Sequence, residues 1–128
     1  MTAFSPEGPA RVFLLDGAAL LAARRRVYDG DPALAVADQR LLLDAEAARA
    51  VGPFSVIDKP TSPPSGDMQD YLSQGPYWWP DPKSADGLPW VRRDGEANPD
   101  RELHDRHALA AMLSAVNTLA AAFYFSEH

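Results

Sequence analysis

The chain has 128 residues, no cysteine, 12 prolines and a formal charge of −6 from 18 acidic and 12 basic side chains, a length suited to one domain or a piece of a larger one. Without cysteine it can hold no disulfide framework, no thiolate nucleophile and no cysteine-ligated zinc or iron–sulfur centre. The acidic balance disfavours nucleic acid and anionic lipid, which reward clustered Lys and Arg, and the unbroken apolar runs are too short to predict membrane insertion.

Asp16 is placed to cap a helix starting near Gly17, with Leu20, Leu21, Ala23, Val27 and Tyr28 as its apolar positions. Gly30 breaks it. Asp31-Pro32 then pairs an N-cap acid with proline at the first helical position, where the missing N–H costs nothing. Leu34, Ala37, Leu41, Leu42, Ala45 and Ala48 follow at three- and four-residue spacing, until Gly52-Pro53 ends the pattern. These two segments predict an antiparallel helical hairpin over residues 17–51. Residues 52–100 read as a long lid-like loop. A third helix is predicted over 101–125, opening around Asp100 to Glu102 and carrying Leu109, Met112, Leu113, Val116, Leu119, Ala120 and Phe123. Its end, Ala120 to Phe125, is apolar on nearly every side and calls for cover by further elements, so the chain reads as a single partial domain of an all-α fold.

Nine of the 12 prolines fall between Pro53 and Pro99, with all three tryptophans and half of the 12 aromatic residues. That aromatic content argues for an ordered loop, because disordered segments are poor in aromatics. Pro63-Pro64-Ser65-Gly66-Asp67 is a tight turn in which Gly66 is expected to take positive φ. Tyr77-Trp78-Trp79-Pro80 sets adjacent flat rings beside fixed polar groups, a combination suited to the C–H faces and hydroxyls of sugars. The plainer reading is that the tryptophan pair plugs a helical core, and a split, with one ring buried and one exposed, satisfies both.

Gly52-Pro53-Phe54-Ser55-Val56-Ile57-Asp58-Lys59, Pro63-Pro64-Ser65-Gly66-Asp67, Asp70-Tyr71, Tyr77-Trp78-Trp79-Pro80 and Asp86-Gly87-Leu88-Pro89 form an ordered series. With Arg92-Arg93-Asp94-Gly95 and Asn98-Pro99 it resembles the N-terminal portion of the alginate lyase domain family, over nearly the whole chain and most densely over residues 52–99. The resemblance implies the opening of an incomplete (α/α) toroid and β-elimination on a uronic-acid polysaccharide such as alginate, without a cofactor. It also implies export to the periplasm or beyond, although no signal peptide is visible in the chain. Such chemistry needs the C5 carboxylate neutralised, a base for the C5 proton and an acid for the leaving oxygen. The family's Asn-His pair and catalytic Tyr are expected further along than these 128 residues, so no catalytic residue is assigned here. The family pattern has Lys-His between the Gly-Asp and Asp-Tyr pairs; this chain has Met68 and Gln69, and Gln cannot titrate near neutral pH.

The resemblance makes acidic polysaccharide the expected partner, with Trp78 and Trp79 stacking on rings, Lys59 and Arg92 meeting carboxylates, and Gln69 bonding to the sugar. Asp70, Tyr71 and Tyr77 complete the expected substrate-binding set. Each has a structural alternative: solvated charge for Lys59 and Arg92, turn capping for Asp67, a structural bond for Asp70, and packing for the tyrosines. His104-x-x-His107 has metal-ligand spacing but lacks a third ligand nearby, so no metal is expected. Residues 51–100 carry four basic and eight acidic side chains, a balance of −4 that repels a polyanion. The rival reading is a non-catalytic uronan-binding or interaction module.

Overall fold

A computed structural model describes residues 9–126. Helix α1 spans Gly17–Tyr28 and starts where Asp16 accepts hydrogen bonds from the Ala18 and Ala19 amides at 2.8 and 3.2 Å. Helix α2 spans Pro32–Arg49, with Asp31 as its cap at 2.9 Å from the Ala33 amide. Arg26 Nε also reaches the Asp31 carboxylate at 2.7 Å. The Ala33 N–H and then the Arg26 guanidinium hold that carboxyl below its ordinary value. One acid therefore caps the second helix and ties it to the end of the first.

A short 3₁₀ turn follows at Val56–Asp58. Trp78–Trp79 (β1) and Val91–Arg92 (β2) then pair antiparallel, Trp78 opposite Arg92 and Trp79 opposite Val91. The ribbon is extended by Arg93 N–H to Tyr77 O at 2.9 Å and Asp81 N–H to Gly87 O at 2.8 Å. Gly87 takes φ +74°, and a side chain there would sit 2.8 Å from Pro80 Cβ, so only glycine fits this turn. The Leu88-Pro89 peptide is cis. Gly66 has the positive φ its turn requires, +78°.

Helix α3 spans Asp105–Ser126, four residues later than the sequence predicts. The start signal at residues 98–102 is real but opens a different element. Asn98 caps a 3₁₀ helix over Pro99–Leu103, and His104 is extended at φ −108°, ψ 171°, so the chain turns a corner before α3 begins.

Two compact units result. One takes the chain up to Gly52 together with Ser114 onward; the other is Pro53–Leu113. In the first, Ala23 and Val27 of α1, Leu34, Ala37, Asp38 and Leu41 of α2, and Phe125 of α3 share one small cleft, whereas Tyr28 and Leu42 of the predicted stripes are exposed. Arg24 lies 5.2 Å above the Tyr124 ring. Among the described residues the buried apolar side chains are all alanines: Ala45, Ala48, Ala115 and Ala122. Leu113, Val116 and Phe123 of α3 remain more than half exposed. By length and composition alone α3 could cross a bilayer, with a mean hydropathy of 1.6, which the count of unbroken apolar runs did not foresee. Ser114, Asn117 and Thr118 interrupt those runs without adding charge.

Candidate functional site

The Pro53–Leu113 unit is organised around two buried polar centres. The first is Lys59, whose side chain is 2% exposed. Its ammonium bonds the Val56 carbonyl, the Met68 carbonyl at 2.8 Å and the Asp105 carboxylate at 3.1 Å. Three donors meet three acceptors, so the group is satisfied internally. Asp105 also accepts from Leu72 N–H at 2.8 Å, while its own amide donates to Leu72 O at 3.0 Å. Burial by itself would raise the Asp105 carboxyl; the Leu72 N–H and the Lys59 ammonium outweigh it and leave the pKa lowered. The cation expected to meet a substrate carboxylate is thus a latch between the loop and the first turn of α3. Its position within a Pro-rich loop does not distinguish an inward lysine from an outward one.

The second centre is Asn98, which is fully buried. Its amide nitrogen donates to Trp78 O at 3.0 Å, its oxygen accepts from Asp100 N–H at 3.0 Å, and its backbone N–H donates to Pro76 O at 2.6 Å. Gln74 Nε2 donates to the same Trp78 carbonyl at 2.8 Å. Because that carbonyl only accepts, the Gln74 oxygen must be the atom 2.9 Å from His104 Nε2, so Nε2 carries the hydrogen. Nδ1 of His104 is buried and has no partner among the described residues. Two amides therefore grip the backbone of Trp78 and leave its indole outward.

That indole forms one wall of a groove of about 490 Å³. Thr61, Ser62, Pro64, Leu72, Ser73, Gln74, Gly75, Trp90, Asp100, Leu103 and His104 complete the lining. Trp78 and Trp90 keep 44% and 39% of their surface exposed. Gly75 underlies Trp78: a Cβ there would lie 2.7 Å from the indole Cδ1. Two half-exposed aromatic rings, three hydroxyls, an amide, an imidazole and one carboxylate can stack on a ring and bond its hydroxyls.

Of the expected substrate-binding residues, only Trp78 lines this groove; His104, singled out for its metal-ligand spacing, lines it too. Trp79 is half-buried, its Nε1 donates to Glu96 O at 3.0 Å, and the Arg93 guanidinium lies 4.8 Å above its ring. Trp78 is the more exposed of the two, while Trp79 is half-buried and held in the ribbon, so neither ring is a core residue. Arg92 is exposed, ion-paired with Asp94 at 2.7 Å, and by register shares the Trp78 face of the ribbon. Tyr71 lines a separate cleft of about 170 Å³ with Phe54, Val56 and Met112. Tyr77 is 40% exposed and its carbonyl joins the ribbon. Asp67 caps its turn by accepting Gln69 N–H at 2.8 Å. Gln69 and Asp70 are exposed, and their side chains have no hydrogen-bond partner among the described residues. His104 and His107 part, His104 to Gln74 and His107 to Glu102 at 2.6 Å, and the described residues hold no three-ligand cluster for a metal ion. Gln74, Trp90, Asn98 and His104 were not among the expected site residues. Trp90 carried a signal as the third ring in the aromatic loop, His104 as part of His104-x-x-His107 and Asn98 as part of the Asn98-Pro99 motif; Gln74 carried none.

Residues 55–128 match the alginate lyase family model, so the chain belongs to the alginate lyase family. It is similar to the crystal structure of an alginate lyase from Bacteroides ovatus, with 45% identity and a TM-score of 0.72. That match covers 85% of this chain and 28% of the other. No match was found among curated proteins. The all-α scaffold with its ordered loop is thus the alginate-lyase-like fold that the aromatic and turn motifs pointed to.

Proposed function

We propose that this chain is part of a polysaccharide lyase that cleaves a uronic-acid polymer by β-elimination, and that the Pro53–Leu113 unit contributes a sugar-contacting surface to it. The observation that carries this reading is the groove walled by Trp78 and Trp90, held open on a scaffold of the alginate lyase family. The amide grip on the Trp78 carbonyl fixes the backbone that carries the indole before any ligand arrives, so less ordering is left for binding to oppose. Arg92, on the same ribbon face, is the exposed cation placed to meet a carboxylate of the polymer. Lys59 has no part in this, because its ammonium is consumed by Asp105 and two carbonyls.

No residue of this chain is assigned to proton transfer. Tyr71 and Tyr77 are exposed, but neither is paired with a group that would activate it, and the chain contains no Asn-His dipeptide. The base and the carboxylate-neutralising groups belong, on this reading, to other parts of the enzyme. Gln69 favours the second reading, a binding module without turnover, since it replaces a titratable side chain of the family pattern. Incubating the intact protein with polymannuronate, polyguluronate and glucuronan, and following the ultraviolet absorbance of the unsaturated product, separates the two. Product from one of them supports the lyase; retained uronan binding without product from any supports the module.

A further inference from the structure

The wall that Trp78 gives the groove is carried by a short series of polar contacts reaching back to the start of α3. Trp78 N–H donates to Gly75 O at 3.2 Å and closes a tight turn with Pro76 at its second position. Gln74, the residue before that turn, returns its side-chain amide to Trp78 O at 2.8 Å. Gly75 lies against the ring, since a Cβ there would sit 2.7 Å from the indole Cδ1. Residues 74 and 75 therefore meet Trp78 at its N–H, its carbonyl and its indole. They are placed in turn from α3. Leu72 N–H donates to the Asp105 carboxylate at 2.8 Å, and Asp105 N–H donates to Leu72 O at 3.0 Å. His104 Nε2–H donates to Gln74 Oε1 at 2.9 Å. The first two bonds fix the backbone leading into the turn; the third fixes the amide that holds Trp78.

A carboxamide can face either way, and His104 decides between the two. With its nitrogen on the Trp78 carbonyl, Gln74 presents its oxygen to the imidazole, and that oxygen requires a hydrogen on Nε2. The flipped amide would set its own N–H against that hydrogen and its oxygen against the Trp78 carbonyl. We propose that Gln74 and His104 are positioning residues for Trp78: an imidazole N–H orients a carboxamide, which holds the carbonyl of the sugar-stacking residue before a uronan arrives. This assignment rests on the sugar-contacting reading of the loop and adds to it the pair that sets its aromatic wall. A ring already held in place gives up less freedom on binding, so the pair supports affinity through Trp78 and requires no proton transfer.

The test separates the donor at Nε2 from the bulk of the side chain. A glutamine in place of His104 carries an amide nitrogen at about the reach of Nε2. An asparagine carries it near the place of Nδ1 and falls short of Gln74. Gln74→Met keeps the length and loses both polar functions. NMR relaxation of the Trp78 indole N–H, whose signal is identified by its loss in Trp78→Phe, is measured on the intact protein without ligand, with a melting curve on each variant. The indole is expected to lose order in Gln74→Met and His104→Asn and to regain the wild-type value in His104→Gln. Titration with tetramannuronate and tetraguluronate should show binding weakened roughly fivefold in the first two, the loss of one neutral hydrogen bond, and restored in the third. An indole as ordered as wild type in folded Gln74→Met and His104→Asn overturns the assignment. So does one that His104→Gln loosens as much as His104→Asn. If Gln74→Met does not fold, the two His104 variants carry the result. An indole response in a protein that binds neither uronate keeps the positioning pair and removes the sugar-contacting reading. Uronate binding with an indole that no variant loosens keeps that reading and removes the pair.

Discussion

Lys59 and Asp105 show how one buried pair can decide the role of a conspicuous side chain. Both are almost fully buried, and each partner is what makes the other tolerable. Lys59→Met leaves the Asp105 carboxylate buried without its cation and is predicted to cost about 3–5 kcal/mol of stability, read from chemical denaturation. Saccharide affinity of the molecules that remain folded should be unchanged, whereas a substrate-binding lysine would lose affinity first. The pH dependence has a definite sign. Asp105 is ionised in the folded chain under conditions where the unfolded chain is protonated, because its pKa is lowered from 3.8. Its stabilisation is therefore complete above the ordinary carboxylate range and is lost as pH falls through the lowered value. Asp105→Asn should flatten that acid limb of the stability profile. Asn98 makes the second residue-scale case. Asn98→Ala removes the donor to the Trp78 carbonyl and the acceptor for Asp100 N–H, and is predicted to cost about 1–3 kcal/mol, measured by thermal melting.

The two-residue ribbon sorts adjacent tryptophans into different work. Trp79 is tied to Glu96 and covered by Arg93, so Trp79→Ala should lower the melting temperature of the unit and weaken saccharide binding only as a consequence. Trp78→Ala leaves the carbonyl grip in place, since Asn98 and Gln74 hold backbone, and should reduce binding with a small change in stability. The helices were legible in the sequence because their signals are local. Asp16 and Asp31 cap within three residues, and the apolar spacing of α2 repeats over its whole length. The start of α3 was not, because Asn98-Pro99 announces a helix without saying that it is a 3₁₀ turn stopped by an extended His104. Strands of two residues are too short to show alternation at all. The groove was the least legible element. Its members are scattered from Thr61 to His104, and they converge through a main-chain acceptor, Trp78 O, that no side-chain pattern encodes.

At the scale of the molecule, the acidic balance and the expected anionic polymer are compatible on the proposed reading if individually placed cations meet the carboxylates. The described cations of the loop unit are mostly spent on internal pairs, and its groove is lined by two tryptophan rings and three hydroxyl side chains. On that reading Arg92 is one such cation, exposed on the Trp78 face of the ribbon, in a chain that spans 28% of the alginate lyase it resembles. Leu113, Val116 and Phe123 leave α3 with exposed apolar side chains, a surface open to packing by another element. The measurement that bears most directly on the central claim is the affinity of the intact protein for a uronic-acid oligosaccharide, compared between wild type and Trp78→Ala, with a melting curve on each. The account predicts binding roughly tenfold weaker in the variant and a melting temperature within a few degrees of wild type. Undiminished affinity, or a variant that loses its fold, would contradict it.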